Sequence, residues 1–272
     1  MILRRFANER GNLHVFNKEI ADKGVLEIAP KDTFLEGHLY TAINKDGTKD
    51  VALERYYSQI EGVADRTIEK IVTAAREGRK PGLTPEEKEA WDHYVYHQWK
   101  RVPDFHEKIT SWQSFDEAMD DAIGEFEQRI RPLTPAERDS LQEPATRQRM
   151  RKNAGVLALR KPGEGAVAAL AGRGLGVAVI RNPKKSFVIG SMPLVKLTHP
   201  GQTNLSDPTV EVWFPISYDV AVSPWGDSGA ETLVGISDGH VRALNESSAK
   251  QSTAFAGRSA KLIESLSRRY RP

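Results

Sequence analysis

One predicted helix carries polar side chains at intervals of about one helical turn. Glu89, His93 and His97 stand at positions i, i+4 and i+8, so an α-helix places them on one edge. Two imidazoles and a carboxylate in this arrangement form a donor set that a metal ion accepts. The internal glutamate of a His-Glu-x-x-His helix is missing, and Tyr94 and Trp99 flank the histidines. The pattern leaves two alternatives open: a metal-ligand set and, favoured by the aromatic neighbours, a packed helix without chemistry.

Acidic side chains form a polar stripe on the longest predicted helix, which covers about residues 49–76. Glu54 and Glu61 on this stripe are the candidate catalytic residues, because paired carboxylates bind Mg²⁺ or act as general bases. The alternative is a solvated face opposite the apolar stripe of the helix. A metal-dependent nuclease would need further acidic and basic groups from another element. Mg²⁺ or Mn²⁺ is expected as a cofactor only for that function.

Basic side chains are concentrated in one segment, although Lys+Arg 39 and Asp+Glu 37 leave the whole chain at +2. The candidate binding residues there are Arg147, Arg149, Arg151 and Lys152. A row of cations can contact the phosphates of a nucleic acid. No aromatic residue lies within the segment to stack on bases, so a solvated or internally paired helix face is the alternative that the pattern favours.

The composition excludes several classes of protein. The chain of 272 residues is 39% hydrophobic and 28% charged, which is typical of a globular protein and not of a disordered one. It has no cysteine, which excludes disulfides, cysteine-ligated zinc, iron–sulfur clusters and a cysteine nucleophile. The N-terminus shows no apolar signal region and no long apolar run follows, so we expect a cytoplasmic protein without a membrane partner. The glycine-rich stretches 163–165 and 172–176 match no phosphate-binding loop and predict turns.

The order of the predicted elements indicates the fold class. Helices are predicted first, with starts at Thr84, Ser114 and Thr134 after the long helix, and short strands follow from about residue 173. Two short strands are also predicted near the N-terminus, and one helix over about 247–269 closes the chain. We therefore expect an α+β fold, with a mostly helical N-terminal two-thirds packed on a small, mainly antiparallel C-terminal sheet. Residues 1–272 are expected to form a single domain, with a possible subdivision into 1–172 and 173–272.

Several short segments share their order with a known family. They are Ile2-Leu3-Arg4-Arg5-Phe6-Ala7, Leu13-His-Val15-Phe16, Leu53-Glu54-x-x-x-Ser58-x-Ile60-Glu61-Gly62, Phe187-Val-Ile-Gly-Ser191-Met-Pro193, Phe214-Pro215-Ile216-Ser217 and Val241-Arg-Ala-Leu-Asn245. This order resembles the bacterial domain-of-unknown-function family 4238 over nearly the whole chain. The resemblance implies a mostly helical α+β intracellular protein without an established activity.

The resemblance includes matching positions and two departures. Glu54, Glu61 and Asn245 match, and Asn245 is a further candidate binding residue. Family members typically carry a His-Tyr-Val-Pro segment upstream of the first block, whereas this chain starts inside that block. The family also usually carries an aspartate where this chain has Ser191. If that histidine and aspartate did chemistry, this chain would lack both.

Two functions remain open from the sequence. The first is a non-catalytic binding or assembly protein, which would form an oligomer or a complex with a partner protein. The alternative is a nucleic-acid-directed effector of the defence or toxin kind, one form of which is a metal-dependent nuclease. In that alternative Glu54 and Glu61 would hold the metal, and segment 147–152 would contact phosphates.

Overall fold

A computed structural model shows an α+β protein whose backbone forms two units that interleave along the chain. The structure describes residues 2–34, 40–100, 102, 111–160, 163–197 and 210–271. Unit 1 comprises Met1–Leu35, Gln59–Asp104 and Gly163–Pro272, and unit 2 comprises Glu36–Ser58 and Phe105–Pro162. The predicted boundary at 172/173 falls inside unit 1.

The expected fold class is confirmed, with helices in the first two-thirds, sheets that are mainly antiparallel in the C-terminal part, and a closing helix. The helices of the described ranges are α1 (Ala52–Arg76), α2 (Pro85–Lys100), α3 (Trp112–Arg129), α4 (Pro135–Gln142), α5 (Pro144–Arg160), α6 (Glu164–Ala171), α7 (Asp238–Gln251) and α8 (Ala260–Ser267). No helix in this part of the chain has the length and apolar character that crossing a membrane requires.

The strands are short and come from both ends of the chain. They are β1 (Leu13–Asn17), β2 (Leu26–Ile28), β3 (Ala42–Ile43), β4 (Lys49–Asp50), β5 (Arg173–Ile180), β6 (Ile189–Gly190), β7 (Val195–Leu197), β8 (Glu211–Pro215), β9 (Val220–Asp227), β10 (Glu231–Ile236) and β11 (Ala254–Gly257).

The larger sheet of unit 1 has the strand order β10-β5-β9-β8-β7. Its pairs are antiparallel except for β10 and β5, which run parallel. The C-terminal part of α1 packs on this sheet, with Ile68 and Ile71 beside Val177 and Phe214 in one buried cluster. These helix positions recur at steps of three and four, so the period of the helix turns them toward the sheet.

The smaller sheet of unit 1 joins the two ends of the chain, in the order β2-β1-β11-β6. β1 pairs antiparallel with β2 on one side and with β11 on the other. Phe16, Phe255 and Ile263 fill one cluster on this sheet, which ties α8 to the strands. The N-terminal strands that the sequence predicts therefore belong to the same sheet as C-terminal strands.

Unit 2 contains α3, α4, α5, the β3–β4 pair and the first residues of α1. Asn153 on α5 holds β3, since its amide accepts from the Ile43 N–H and donates to the Ile43 carbonyl, both at 2.8 Å. Arg160 pairs with Asp50 at 2.7 Å and holds β4 in the same way.

The predicted closing helix over 247–269 is wrong in extent. The structure has α7, then strand β11, then α8 over these residues. Ser252 leaves the helical conformation at φ −99° and ψ 147°, and Ser259 caps α8 by accepting from the Leu262 N–H. The buried run 254–257 completes a sheet with β1, and this tertiary pairing outweighs helix propensity.

Three other local predictions have clear outcomes. The start at Thr134 is confirmed, because Thr134 and Glu137 form a capping box. The third helix begins after Ser111, whose hydroxyl accepts from the N–H of Ser114, so Ser114 lies inside the helix. The turns predicted for the glycine stretches are wrong at Gly165, which is helical, and at 174–176, which lie in β5.

Candidate functional site

Unit 1 carries an open cleft of about 590 Å³ that is lined by three segments of the chain. Its charged lining residues are Arg10, Lys184, Lys185 and Arg258 on the positive side and Glu9 and Glu27 on the negative side. Four cations against two carboxylates give the cleft an excess of positive charge with histidine neutral. Asn8, His14 and Ser186 contribute further polar groups.

Strand pairing places the histidine of this cleft. On β1, His14 is directly opposite Glu27 of β2 on one side and Gly257 of β11 on the other. The neighbouring residues Leu13 and Val15 are buried, and His14 is half-buried, as the alternation of a strand requires. Residues in direct cross-strand register approach closely, so His14 and Glu27 share one face of the sheet.

A turn before β1 fixes the polar wall of the cleft. The side-chain oxygen of Asn8 accepts from the N–H groups of Arg10 and Asn12 at 2.9 and 3.1 Å, which sets the orientation of its amide. The amide nitrogen then donates to Glu27 at 3.1 Å and lies 3.3 Å from Nε2 of His14. Because this amide nitrogen is a donor, Nε2 of His14 is the acceptor and the ring proton lies on Nδ1.

The carboxylate of Glu27 is held in its charged form. The hydrogen bond from Asn8 lowers the pKa of Glu27 below its ordinary value, and a second bond from Asn12 and the charge of Arg10 act in the same direction. The polar wall therefore keeps a negative charge beside His14.

The two lysines of the cleft stand on a tight turn. Asn182 accepts from the Lys184 N–H through its side chain and from the Lys185 N–H through its carbonyl, both at 3.0 Å. Its amide donates to Asp238 at 2.8 Å and thereby joins the turn to the start of α7. Both lysine side chains are exposed, and neither forms an ion pair with a described acid.

Arg258 supplies the third cation from the link between β11 and α8. Its guanidinium lies 4.2 Å from the ring centroid of Tyr218, and within the described ranges it has no acidic partner. Arg76 lies 5.4 Å from the same ring and forms a two-bond pair with Asp219 at 2.8 and 2.9 Å. The aromatic ring therefore positions Arg258 without neutralising it.

Asn245, a candidate binding residue from the sequence, is buried next to this cleft. Its amide donates to the Ser186 carbonyl at 2.8 Å and accepts from the Val188 N–H at 2.9 Å. Both functions of the amide are thus used on the segment that follows the two lysines. Asn245 positions that segment, which includes the lining residue Ser186, but Asn245 itself does not line the cleft.

The acidic candidates lie on one helix but are not neighbours. Glu54 accepts a hydrogen bond from the hydroxyl of Thr41. Glu61 is exposed and stands seven residues further along α1, about 10 Å along the helix axis. The shared metal expected for these two residues stays a prediction.

The metal-ligand candidates on α2 have different surroundings. Glu89 and His93 line a second cavity of about 480 Å³, together with Lys88, Asp92 and Glu231. His97 is 3% exposed, does not line that cavity, and packs against Tyr96 with ring centroids 5.3 Å apart. Across the part of the chain that the structure describes, no three His, Asp or Glu side chains are arranged to hold a metal ion.

The basic segment lies on α5 in unit 2 and is partly paired within that unit. Arg147 bonds to Asp116 at 2.5 Å and to Gln142 at 2.8 Å. Arg151 also has an interaction partner. Arg149 and Lys152 are half-buried and form no ion pair with a described acid.

The cleft residues were not predicted from the sequence. The only local signal for the cleft in the sequence was the turn-forming pair Asn182-Pro183, which is followed by the two bases Lys184 and Lys185. Arg10, His14 and Arg258 come together only because β1 pairs with β11. That pairing has no signature in side-chain periodicity.

Comparison with known proteins identifies the family and no function. No curated protein and no solved structure matches the chain. The model of one family, described as a protein of unknown function (DUF4238), matches residues 1–259 of the 272. The match confirms the resemblance drawn from the ordered sequence blocks, and the chain belongs to the DUF4238 family.

Proposed function

We propose that the protein is a non-catalytic binding protein that takes an anionic small ligand in the cleft of unit 1. The single observation that carries this proposal is the set of three cations, Lys184, Lys185 and Arg258, which line one cleft without an acidic partner among the described residues. A cleft lined by cations attracts an anion.

The residues around the three cations are held in place by contacts within the protein, and this supports the same function. The lysine turn is fixed by Asn182 and by Asn245 behind it, and Arg258 is stacked on Tyr218. Side chains whose backbone is fixed before binding lose less entropy when the ligand arrives. The volume of about 590 Å³ suits a small molecule.

Thermal unfolding of the full chain tests the proposal. Sulfate, citrate, inorganic phosphate and a phosphate ester are compared with chloride at equal ionic strength. A bound anion at a hundredfold excess over its Kd stabilises the fold by about 2.7 kcal/mol, so at least one anion should raise the Tm by about 5 °C.

A charge-reversed pair provides the control. The Lys184→Glu/Lys185→Glu variant should lose the anion-dependent shift, whereas Lys23→Glu/Lys31→Glu, which changes two exposed lysines outside the lining, should keep it. Equal Tm values in all anions, or a shift that survives the first variant, would overturn the proposal.

A nucleic-acid-directed effector is the second candidate, and one observation favours it. Arg149 and Lys152 lie one turn apart on α5, half-buried and without an acidic partner among the described residues, so a phosphate would displace no ion pair at these two cations. The nuclease form of this function would use Glu54 and Glu61 with Mg²⁺ or Mn²⁺. Incubation of micromolar protein with labelled DNA and RNA and either metal tests it, and intact substrate would count against it.

A further inference from the structure

We infer that the anion taken by the cleft is the single phosphate group of a small phosphomonoester, a sugar phosphate or a nucleoside monophosphate. This inference rests on the binding function proposed above and names the chemical class of the ligand. It is carried by the distribution of charge along the lining and by the size of the cleft.

The cations of the cleft match a phosphate better than a carboxylate. Each lysine ammonium offers three donors, and the guanidinium of Arg258 offers five in a planar fork. A phosphomonoester presents three acceptor oxygens and a charge of about −1.5 to −2 near neutral pH. Lys184 and Lys185 come from one turn and Arg258 from another segment, so the oxygens can be contacted from two sides.

The acidic part of the lining limits the ligand to one phosphate. Glu9 and Glu27 belong to the segment that carries Asn8, His14 and Arg10, and Arg10 lies 3.8 Å from Glu27, so two carboxylates against one cation leave this wall at −1. Hydrogen bonds from Asn8 and Asn12 lower the pKa of Glu27, so this carboxylate stays ionised at neutral pH. A second phosphate placed against this wall would meet negative charge.

The polar wall suits the hydroxyl groups of a sugar. The carboxylate of Glu27 already accepts hydrogen bonds from Asn8 and Asn12 and pairs with Arg10. The orientation of the Asn8 amide makes Nδ1 of His14 a hydrogen-bond donor, and this donor has no hydrogen bond to a described residue. The Glu9 carboxylate is likewise not engaged by the described part of the chain. One donor and one acceptor therefore remain for ligand hydroxyls.

A polymeric ligand fits the cleft less well. Sites for single-stranded nucleic acid combine a basic track with aromatic side chains on which bases stack. Among the residues that the structure describes, no Phe, Tyr or Trp lines the cleft, since Tyr218 packs under Arg258 and is not part of the lining. The volume of about 590 Å³ holds one small molecule and not an extended strand.

Calorimetric titration of the full chain tests the class of ligand. The probes are ribose 5-phosphate, ribose, AMP, ADP, ATP, inorganic phosphate, citrate and a 20-nucleotide single strand. Ribose 5-phosphate or AMP should bind with a stoichiometry of one, and ribose should bind at least about a hundredfold more weakly, because several charge-assisted bonds are lost. ADP and ATP should bind no more tightly than AMP.

Two matched sets of variants locate the site. Lys184→Gln/Lys185→Gln should weaken phosphomonoester binding at least about tenfold, and Lys23→Gln/Lys31→Gln should leave it unchanged. Glu9→Gln should improve ADP binding more than AMP binding, because it removes one of the two charges that a second phosphate meets. Far-ultraviolet circular dichroism confirms that each variant is folded.

The outcomes separate the inference from the function on which it rests. Binding of citrate that depends on Lys184 and Lys185, without phosphomonoester binding, would overturn the inference and leave the proposed function. Binding of the strand alone through these lysines would overturn both, because the proposed ligand is a small molecule. Affinity that rises from AMP to ATP, or phosphomonoester binding that survives the lysine variant, would also overturn the inference. Absence of binding by every probe would overturn both.

Discussion

Ser191 shows what a single residue contributes at a position where the family resemblance implies an aspartate. Its hydroxyl accepts from the N–H groups of Thr253 and Ala254 at 3.1 and 3.3 Å, and its own N–H donates to the Ala254 carbonyl at 2.8 Å. The side chain therefore joins the end of β6 to the start of β11.

Substitutions at Ser191 distinguish this role from a chemical one. Ser191→Ala should lower the free energy of unfolding by about 1–2 kcal/mol, because two N–H groups lose their acceptor. Ser191→Asp should retain most of the stability, since a carboxylate also accepts from both groups. Urea denaturation measures the two values. No loss in Ser191→Ala, or an equally large loss in both variants, would contradict the assignment.

At the scale of elements, α7 and β6 approach each other closely because Gly190 has no side chain. Gly190 ends β6, and a Cβ atom built on it would lie 2.0 Å from the hydroxyl oxygen of Ser252 and 2.8 Å from its Cβ. Ser252 stands directly after α7, between that helix and β11. The side-chain hydroxyl of Ser252 also accepts from the Met192 N–H at 3.2 Å, so it cannot move away without losing a bond.

A pair of glycine substitutions tests this packing. Gly190→Ala should destabilise the protein by about 1–3 kcal/mol, because the added methyl group must displace Ser252. Gly62→Ala, on the exposed face of α1 with nothing within 4 Å of the added atom, should stabilise it by about 0.5–1 kcal/mol. Chemical denaturation of both variants gives the signs, and a neutral Gly190→Ala would show that β6 and α7 adjust freely.

At the scale of the whole molecule, positive and negative charges nearly balance in number but are unevenly distributed. The chain carries only +2, yet cations without an acidic partner among the described residues gather at the cleft, while many acids are bound in ion pairs. Asp219 is one of these acids, and its side chain is 15% exposed. Burial raises the pKa of Asp219, but hydrogen bonds from Arg76 and Ser217 outweigh it and the net pKa is lowered.

The direction of this shift predicts a dependence of stability on pH. A carboxyl group with a lowered pKa in the folded state stabilises the protein above its unfolded pKa, and the contribution is lost as the pH falls through the folded pKa. Asp219→Asn should therefore be less stable than the unsubstituted protein by about 1 kcal/mol at pH 7, because Arg76 is partly exposed and the pair is screened.

Thermal unfolding of both proteins between pH 2 and 7 checks this expectation. The difference in stability should begin to shrink as the pH falls below about 4, the ordinary value for aspartate. It should be lost only below the lowered pKa of the folded state, since Asp219 is then protonated in both states. A difference that persists unchanged at pH 2 would show that Asp219 acts through packing and not through its charge.

The sequence by itself determined the features that depend on neighbouring residues. The amphipathic stripe of α1, the capping box at Thr134 and the strand character of β5 and β8 are set by residues only a few positions apart. Tyr56 and Val63 mark the limit of this approach. Each follows another apolar residue of α1 by three positions, which predicts a place on the apolar stripe, yet each is more than 40% exposed. Their positions lie at the margin of the helix face that is buried.

Only the tertiary structure decided which distant segments meet. The joining of β1 to β11 split the predicted closing helix and brought His14 and Arg258 to one cleft. The pairing of β6 with the other edge of β11 joins the segment that follows Lys184 to the same sheet. Periodicity tells which face of an element is buried, but it does not name the partner that buries it. The register between strands from opposite ends is chosen by the free energy of the whole packed core, which no local pattern of residues contains.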